Sequence, residues 1–261
     1  MSDSETPRIR DLFSLEGRVA MISGAGRGLG AAMARALSDM GSKVFLVSRT
    51  QSELAEVCEE IRRTGGEADY LVRDVADLSA LPEIAEAPVN RFGQVDILVN
   101  VAGTSHPSPA LEVTREQWEN TMNLNTRATF FLTQAVARQM VKRHYGKVIN
   151  IVSHLAFASI PGRAVYGASK AAVVHMTRIL GVEWAPYGLN VNAVAPSYTR
   201  TKLAWQVLKD ESFRKFVIDN TPARRIAEPI DMCGAVVYLA SDASRMVIGQ
   251  TILVDGGWTA R

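Results

Sequence analysis

Seven short runs of β-branched and aliphatic residues recur along the chain, at 19–23, 43–47, 68–72, 95–100, 147–152, 189–193 and 251–254. Between them lie longer stretches of helical period, near 28–40, 51–64, 78–92, 114–143, 163–185 and 228–240. No other feature narrows the fold as far. Several runs are apolar throughout rather than alternating, the pattern of strands covered on both faces. Two parallel strands need a crossover of about a dozen residues or more, which the helical stretches supply. Strand, helix, strand, repeated, therefore predicts an α/β chain with a doubly wound parallel sheet and helices on both of its faces.

No Pro/Ser linker or compositional break divides 15–261, so this span reads as one domain behind a flexible leader at 1–14. The helix expected from 114 carries its own start signal, because the Thr114 hydroxyl can cap and Gln117, three residues on, can return the bond. One stretch breaks the alternation. Residues 195–228, or about those, lack strand character and carry Pro196 and Pro222, as an inserted lid would. Composition serves to exclude. With 47% hydrophobic and 21% charged residues the chain can bury a core, and a net charge of +2 without a basic stripe gives no reason to expect nucleic acid. No window approaches the roughly 18 apolar residues of a membrane span. Residues 1–10 mix acids and bases without an apolar run, so no signal peptide is expected. Cys58 and Cys233 have neither CxxC spacing nor a histidine pair nearby, so neither a disulfide framework nor a metal site is expected. A cytoplasmic setting is the expectation.

The first strand runs into Ser23-Gly24-Ala25-Gly26-Arg27-Gly28-Leu29-Gly30 and then an Ala-rich helix. A docking pyrophosphate needs a tight turn, a backbone free of Cβ atoms, and a helix N-terminus with unpaired amides. This segment supplies all three, although a plain Gly-rich turn would look similar. No Gly-Lys-Ser/Thr follows, so it is not a P-loop. The second strand ends Val47-Ser48-Arg49, with no carboxylate to bond a ribose 2′-hydroxyl. Arg49 and Arg27 could instead pair with a 2′-phosphate, which points to NADP over NAD without closing off NAD. Further on, Tyr166-Gly-Ala-Ser-Lys170 sets a phenol and an ammonium on one helix face. A nearby cation favours phenolate, so the pair is a plausible proton-transfer device.

Taken in order, Ser23-Gly24-x-x-x-Gly28-x-Gly30, Asp74, Asn100-Val-Ala-Gly103, Asn125, Ser153, Tyr166-x-x-x-Lys170 and Val254-Asp-Gly-Gly257 resemble the short-chain dehydrogenase/reductase family over about 16–258. The resemblance implies a Rossmann-type domain with a seven-stranded sheet, and hydride transfer between a nicotinamide and an alcohol or carbonyl carbon. It implies that Tyr166 is the general acid/base, that Lys170 lowers its pKa and holds the nicotinamide ribose, that Ser153 orients the substrate oxygen, and that Asn125 bends its helix and positions a water joining the lysine to solvent. The nucleotide is expected at Gly24, Arg27, Gly28, Leu29, Gly30, Ser48 and Arg49, with Asp74 and Val75 at the adenine and Asn100, Ala102 and Gly103 along the adenosine side. Tyr166, Lys170, Pro196 and Thr201 complete the cofactor set, Thr201 as the partner of the carboxamide. No metal is expected. Two departures stand out: Ser197 replaces the family's glycine after Pro196, and Val101 its second asparagine.

The substrate pocket is expected from the loop after the fourth strand, including His106, the segment after Ser153, and the lid from Tyr198 onward. His154, Arg163, Tyr198 and Trp205 are further candidates, with Trp205 and Phe213 at the spacing of a lid core. The C-terminal half, notably Asn220-Thr-Pro-Ala-Arg-Arg225, most resembles the branch with gluconate 5-dehydrogenase and other sugar-acid and polyol dehydrogenases. The 3-oxoacyl-carrier-protein reductases share the same motifs and form the alternative, as does a dinucleotide sensor without turnover. Helices 114–143 and 163–185 carry Ala128, Phe131, Ala135, Ala171 and Val174 on more than one face. In the family these helices meet a second subunit, which implies a homotetramer or homodimer.

Overall fold

The computed structural model describes residues 8–261. Seven strands form one parallel sheet: β1 (Val19–Ser23), β2 (Lys43–Ser48), β3 (Ala68–Val72), β4 (Ile97–Asn100), β5 (Gly146–Ile151), β6 (Leu189–Pro196) and β7 (Thr251–Val254), in the order β3-β2-β1-β4-β5-β6-β7. Strands alternate with α1 (Gly28–Asp39), α2 (Gln51–Arg63), α3 (Leu81–Phe92), α4 (Arg115–Met122), α5 (Thr129–Arg143), α6 (Ala164–Trp184), α7 (Lys202–Leu208), α8 (Glu211–Asn220) and α9 (Pro229–Ala240). The period of two along β1 divides the core. Ala20 and Ile22 face a layer built with α1, α2 and α9, whereas Met21 faces one built with α3 and α5. Cys58 on α2 and Cys233 on α9 are free and buried in the first layer.

The boundaries differ from the sequence reading where a side chain intervenes. β4 starts at Ile97 rather than 95 because Asp96 serves as a clamp, accepting from the Val19 amide at 2.8 Å and pairing with Arg143 at 2.8 Å. β6 runs on to Pro196, since Val194 to Pro196 pair with Ile252 to Val254, so the lid begins at Ser197. The single helix expected over 114–143 is interrupted by a π-helical turn at Asn123–Ala128. Its start is as read: Thr114 Oγ1 accepts from the Gln117 amide at 3.1 Å and Gln117 Oε1 from the Thr114 amide at 3.0 Å.

The lid is helical. α7 and α8 close over a small core of Tyr198, Leu208, Val217, Ile226 and Trp258, against which Phe213 packs. Trp205, read as lid core, is instead 56% exposed. Of the expected leader, 1–7 lie outside the described residues; Asp11–Phe13 forms a 3₁₀ turn with the Phe13 ring against Tyr238 of α9. Among the described residues no helix is long and apolar enough to cross a membrane. The chain leaves β3 at one edge and re-enters the sheet beside β1 as β4, so the carboxyl ends of β1 and β4 border a switch point where a cleft opens.

Candidate active site

The Gly-rich turn lies at that switch point. Gly24 and Gly28 have φ of 67° and 58°, in the left-handed region that favours glycine. A Cβ on Gly30 would overlap the Gly24 carbonyl, so turn and helix touch backbone to backbone. The first-turn amides of α1, which have no carbonyl to bond within the helix, border the cleft. On the β4 side, Ser23 Oγ accepts from the Val101 and Ala102 amides at 3.2 and 3.4 Å and ties the two strand ends together.

Around this turn the cleft is lined by Gly24, Arg27, Gly28, Leu29, Gly30, Ser48, Arg49, Asp74, Val75, Ala102, Gly103 and Thr201, all from the expected set. Asn100 lines neither this cleft nor the pocket beside it. Its side chain lies beneath the cleft, donating to Thr133 Oγ1 and Asn150 Oδ1, both at 2.8 Å, and it serves the core. The two basic residues read as phosphate ligands are paired with carboxylates: Arg27 with Glu53 at 2.9 Å and Arg49 with Asp74 at 3.7 Å. Both arginine side chains are more than half exposed, so these pairs hold weakly and can re-pair with an incoming anion. In the same cleft Ser48 Oγ is shielded from solvent and has no hydrogen-bond partner among the described residues. A glycine cradle, free helix amides and an orphaned hydroxyl flanked by two arginines fit a dinucleotide with a phosphate at its ribose. Glu53, in the first turn of α2, was missed by the sequence reading because it belongs to no motif.

A second pocket joins the first, sharing Leu29, Val101, Gly103, Thr201, Leu203 and Gln206 as walls. Ser153, Tyr166 and Lys170 line it together with Pro196. Ser153 follows β5 and caps the short turn His154–Ala156, its Oγ accepting from the Leu155 amide at 3.1 Å. Tyr166 and Lys170 come from the first two turns of α6. Burial pushes the Tyr166 phenol above its ordinary value, while the hydrogen bond with Ser153 and the Arg163 charge pull it back. Burial brings the Lys170 ammonium down to about 8. Its Nζ donates to the Ile151 carbonyl at 2.8 Å and stands 5.9 Å from the Tyr166 ring centre.

Asn125 is wholly buried in the π turn. Its Oδ1 accepts from the Thr104 amide at 2.8 Å, and its Nδ2 donates to the Thr104 carbonyl at 2.9 Å and to Ser169 Oγ at 3.0 Å. The turn thus fastens the β4 loop to α6, next to Lys170. Ser197 has no positive φ, so the backbone after Pro196 accommodates serine in place of glycine.

Of the proposed pocket residues, His154, Arg163 and Tyr198 line the second cavity, whereas His106 and Trp205 do not. Ser105 and Pro107 form that wall instead, and His106 is exposed beside them. His154 is buried, with Nδ1 3.1 Å from the Pro196 carbonyl and its ring against Tyr198 and Trp258. Burial pushes its imidazole below the ordinary value, so it is neutral.

Residues 24–259 match the family model described as enoyl-(acyl carrier protein) reductase. The chain is 42% identical to the 2-dehydro-3-deoxy-D-gluconate 5-dehydrogenase of Dickeya dadantii over 97% of its own length and 100% of that protein. It is 38% identical to the gluconate 5-dehydrogenase of Gluconobacter oxydans, over 95% and 97%. Among solved structures, a gluconate 5-dehydrogenase from Burkholderia cenocepacia in complex with NADP and tartrate superposes with a TM-score of 0.94 at 37% identity, covering 97% of this chain and 100% of that one. Full-length matches of this kind, on a seven-stranded sheet with a Gly-rich cleft opening into a Ser-Tyr-Lys pocket, show that the chain belongs to the short-chain dehydrogenase/reductase family.

Proposed function

We propose that this chain is an NADP(H)-dependent oxidoreductase that interconverts a secondary hydroxyl and a ketone on a sugar acid or related polyhydroxylated substrate. The observation that carries the reading is the shared wall between the two cavities, which brings Ser153, Tyr166 and Lys170 up to the end of the glycine cleft. The named relatives supply the substrate class, since those at 42% and 38% identity are both sugar-acid dehydrogenases by name.

In this reading the amides of Gly28, Leu29 and Gly30 hold the pyrophosphate and Gly24 lets it approach. Ser48, Arg49 and Arg27 take the 2′-phosphate, with Asp74 and Val75 at the adenine, Ala102 and Gly103 along the ribose side, and Pro196 and Thr201 at the inner end. The nicotinamide, when bound, supplies the hydride donor or acceptor. Tyr166 gives a proton to the carbonyl oxygen in reduction and removes it from the hydroxyl in oxidation. Ser153 bonds the same oxygen, where negative charge develops. Lys170 holds positive charge beneath the phenol, and Asn125 fixes the backbone beside it. The family resemblance also gives Asn125 a water that joins the lysine to solvent; in this reading its side-chain amide, bonded to Thr104 and Ser169, fixes the backbone that positions it.

The subunit is proposed to assemble as a homodimer or homotetramer. Phe131 on α5 and Trp118 on α4 are exposed, as are Ile179 and Val182 on α6. Ala128, in the π turn, and Val174, on α6, are buried within the subunit. A cytoplasmic setting goes with this reading, since a glutathione-reduced compartment suits two free thiols.

Reduction of NADP and of NAD, followed by absorbance with sugar acids, polyols, simple secondary alcohols and 3-hydroxyacyl thioesters, tests the proposal. Turnover of sugar acids with NADP is expected, and Tyr166→Phe should lower it by about 100-fold or more while NADPH affinity stays within a few-fold. Turnover of thioesters alone would replace the proposal with acyl reduction. NADPH binding with no turnover of any class would leave a sensor.

A further inference from the structure

Every arginine lining the nucleotide cleft has a carboxylate within 4.0 Å: Arg27 has Glu53, Arg49 has Asp74 and Arg73 has Glu83. Arg163, in the substrate pocket, has none among the described residues. It is half-buried, and no Asp or Glu among the described residues lines that pocket. Its Nη1 donates to Ser105 Oγ at 3.2 Å, and its charge lies against the Tyr166 and Tyr198 phenols. Arg163 is the residue before α6 and sits three positions ahead of Tyr166, and both line the same pocket.

A guanidinium has five donors in a fixed fork. One bond to Ser105 leaves an open edge in a wall that also carries the Lys170 ammonium and, among the described residues, no acidic side chain. A half-buried cation with no counter-charge costs free energy that a pocket of this kind recovers only when its ligand brings the anion. The fork matches a carboxylate in two parallel bonds. We propose that Arg163 binds the substrate's carboxylate, holding a hydroxy acid so that its reacting carbinol lies at Ser153 and Tyr166. This rests on the functional reading above and sharpens it: the preferred substrate is an acid, and a neutral polyol of the same length is a poor one. Ser105 holds the guanidinium in place beside the Tyr198 phenol.

The test compares wild type, Arg163→Gln and Arg163→Lys on D-gluconate and on its neutral counterpart D-glucitol, with saturating NADP. Arg163 also bears on the Tyr166 phenol, so either substitution alters both rates. The ratio of kcat/KM for gluconate over glucitol cancels that shared effect. The ratio should fall at least about tenfold in Arg163→Gln, chiefly through the KM for gluconate, and by less in Arg163→Lys, which keeps the charge without the fork. An unchanged ratio would overturn the proposal. Calorimetric titration of tartrate into the NADPH complex reads the same bond without turnover: binding at least about tenfold weaker in Arg163→Gln supports the anchor, and equal binding refutes it. Should wild type oxidise neither compound, the functional reading fails, and the tartrate titration alone decides for or against Arg163.

Discussion

Ser48 has a hydroxyl shielded from water and bonded to nothing, between two arginines that are each paired to an acid. A buried polar group left without a partner costs on the order of 1–3 kcal/mol, so the position is set for a ligand that reaches it. In the proposed reading a 2′-phosphate accepts from the hydroxyl and draws both guanidinium groups, whereas a ribose hydroxyl leaves the arginines with Glu53 and Asp74. Replacing the hydroxyl with a carboxylate reverses the preference by repelling phosphate and accepting from the ribose. Ser48→Asp with Arg49→Ala should lower the ratio of kcat/KM for NADP over NAD by about 10- to 100-fold, a change of roughly 1.4–2.7 kcal/mol. Steady-state kinetics with each cofactor checks it, and an unmoved ratio removes Ser48 and Arg49 from the phosphate site. Glu53→Gln frees Arg27, so it should strengthen NADP binding modestly.

The π turn between α4 and α5 exists because Asn125 bonds across three elements. Removing that amide strands the Thr104 amide and carbonyl, while Ser169 Oγ keeps its bond to the Tyr166 carbonyl, so Asn125→Ala should cost about 2–4 kcal/mol in chemical denaturation. A loss below about 0.5 kcal/mol would mean that the bonds re-form elsewhere. This element also marks the limit of the sequence as a guide. Strands were legible because a run such as Val19 to Ser23, buried on both faces, can be little else. The Gly-rich turn and the Tyr166–Lys170 pair were legible because their spacing is the chemistry. The π turn was not, since six residues are too few to show a change of period, and Asn125 was found only through the family. The lid helices were hidden for a related reason: α7 has seven residues, too few for a periodic signal, and takes its stability from Thr201, whose hydroxyl caps it at 3.2 Å. Asn100 was misplaced because an adjacent position on a strand points to the opposite face. Arg163 was legible only as one candidate among several, because a missing counter-charge is a property of the folded pocket.

At the scale of the whole molecule, two buried lysines bracket β5. Lys170 reaches the Ile151 carbonyl at its end; Lys147 lies at its start, its Nζ bonded to Asn190 Oδ1 at 3.0 Å. Burial brings both from 10.5 to about 8. Between about pH 8 and 9 the unfolded chain therefore holds protons that the folded one has released, and stability rises with pH. Burial acts oppositely on the acids. Cys58 and Cys233 are pushed up from 9.0 to about 11, and Tyr145, Tyr166 and Tyr198 are raised above 10.0. From pH 9 the unfolded thiols lose protons that the folded ones keep, which cancels the gain from the lysines. Above pH 10 the tyrosines join them and stability falls. Each uncompensated proton is worth about 1.4 kcal/mol per pH unit, so denaturation under reductant should show a rise on the order of 2 kcal/mol from pH 8 to 9, a plateau to about 10, and then a decline. Lys147→Met, far from the pocket, should halve the slope of the rise whatever it does to stability at neutral pH. A flat profile from 8 to 9 would show that both lysines keep their protons, in which case Lys170 meets the substrate pocket as a permanent cation.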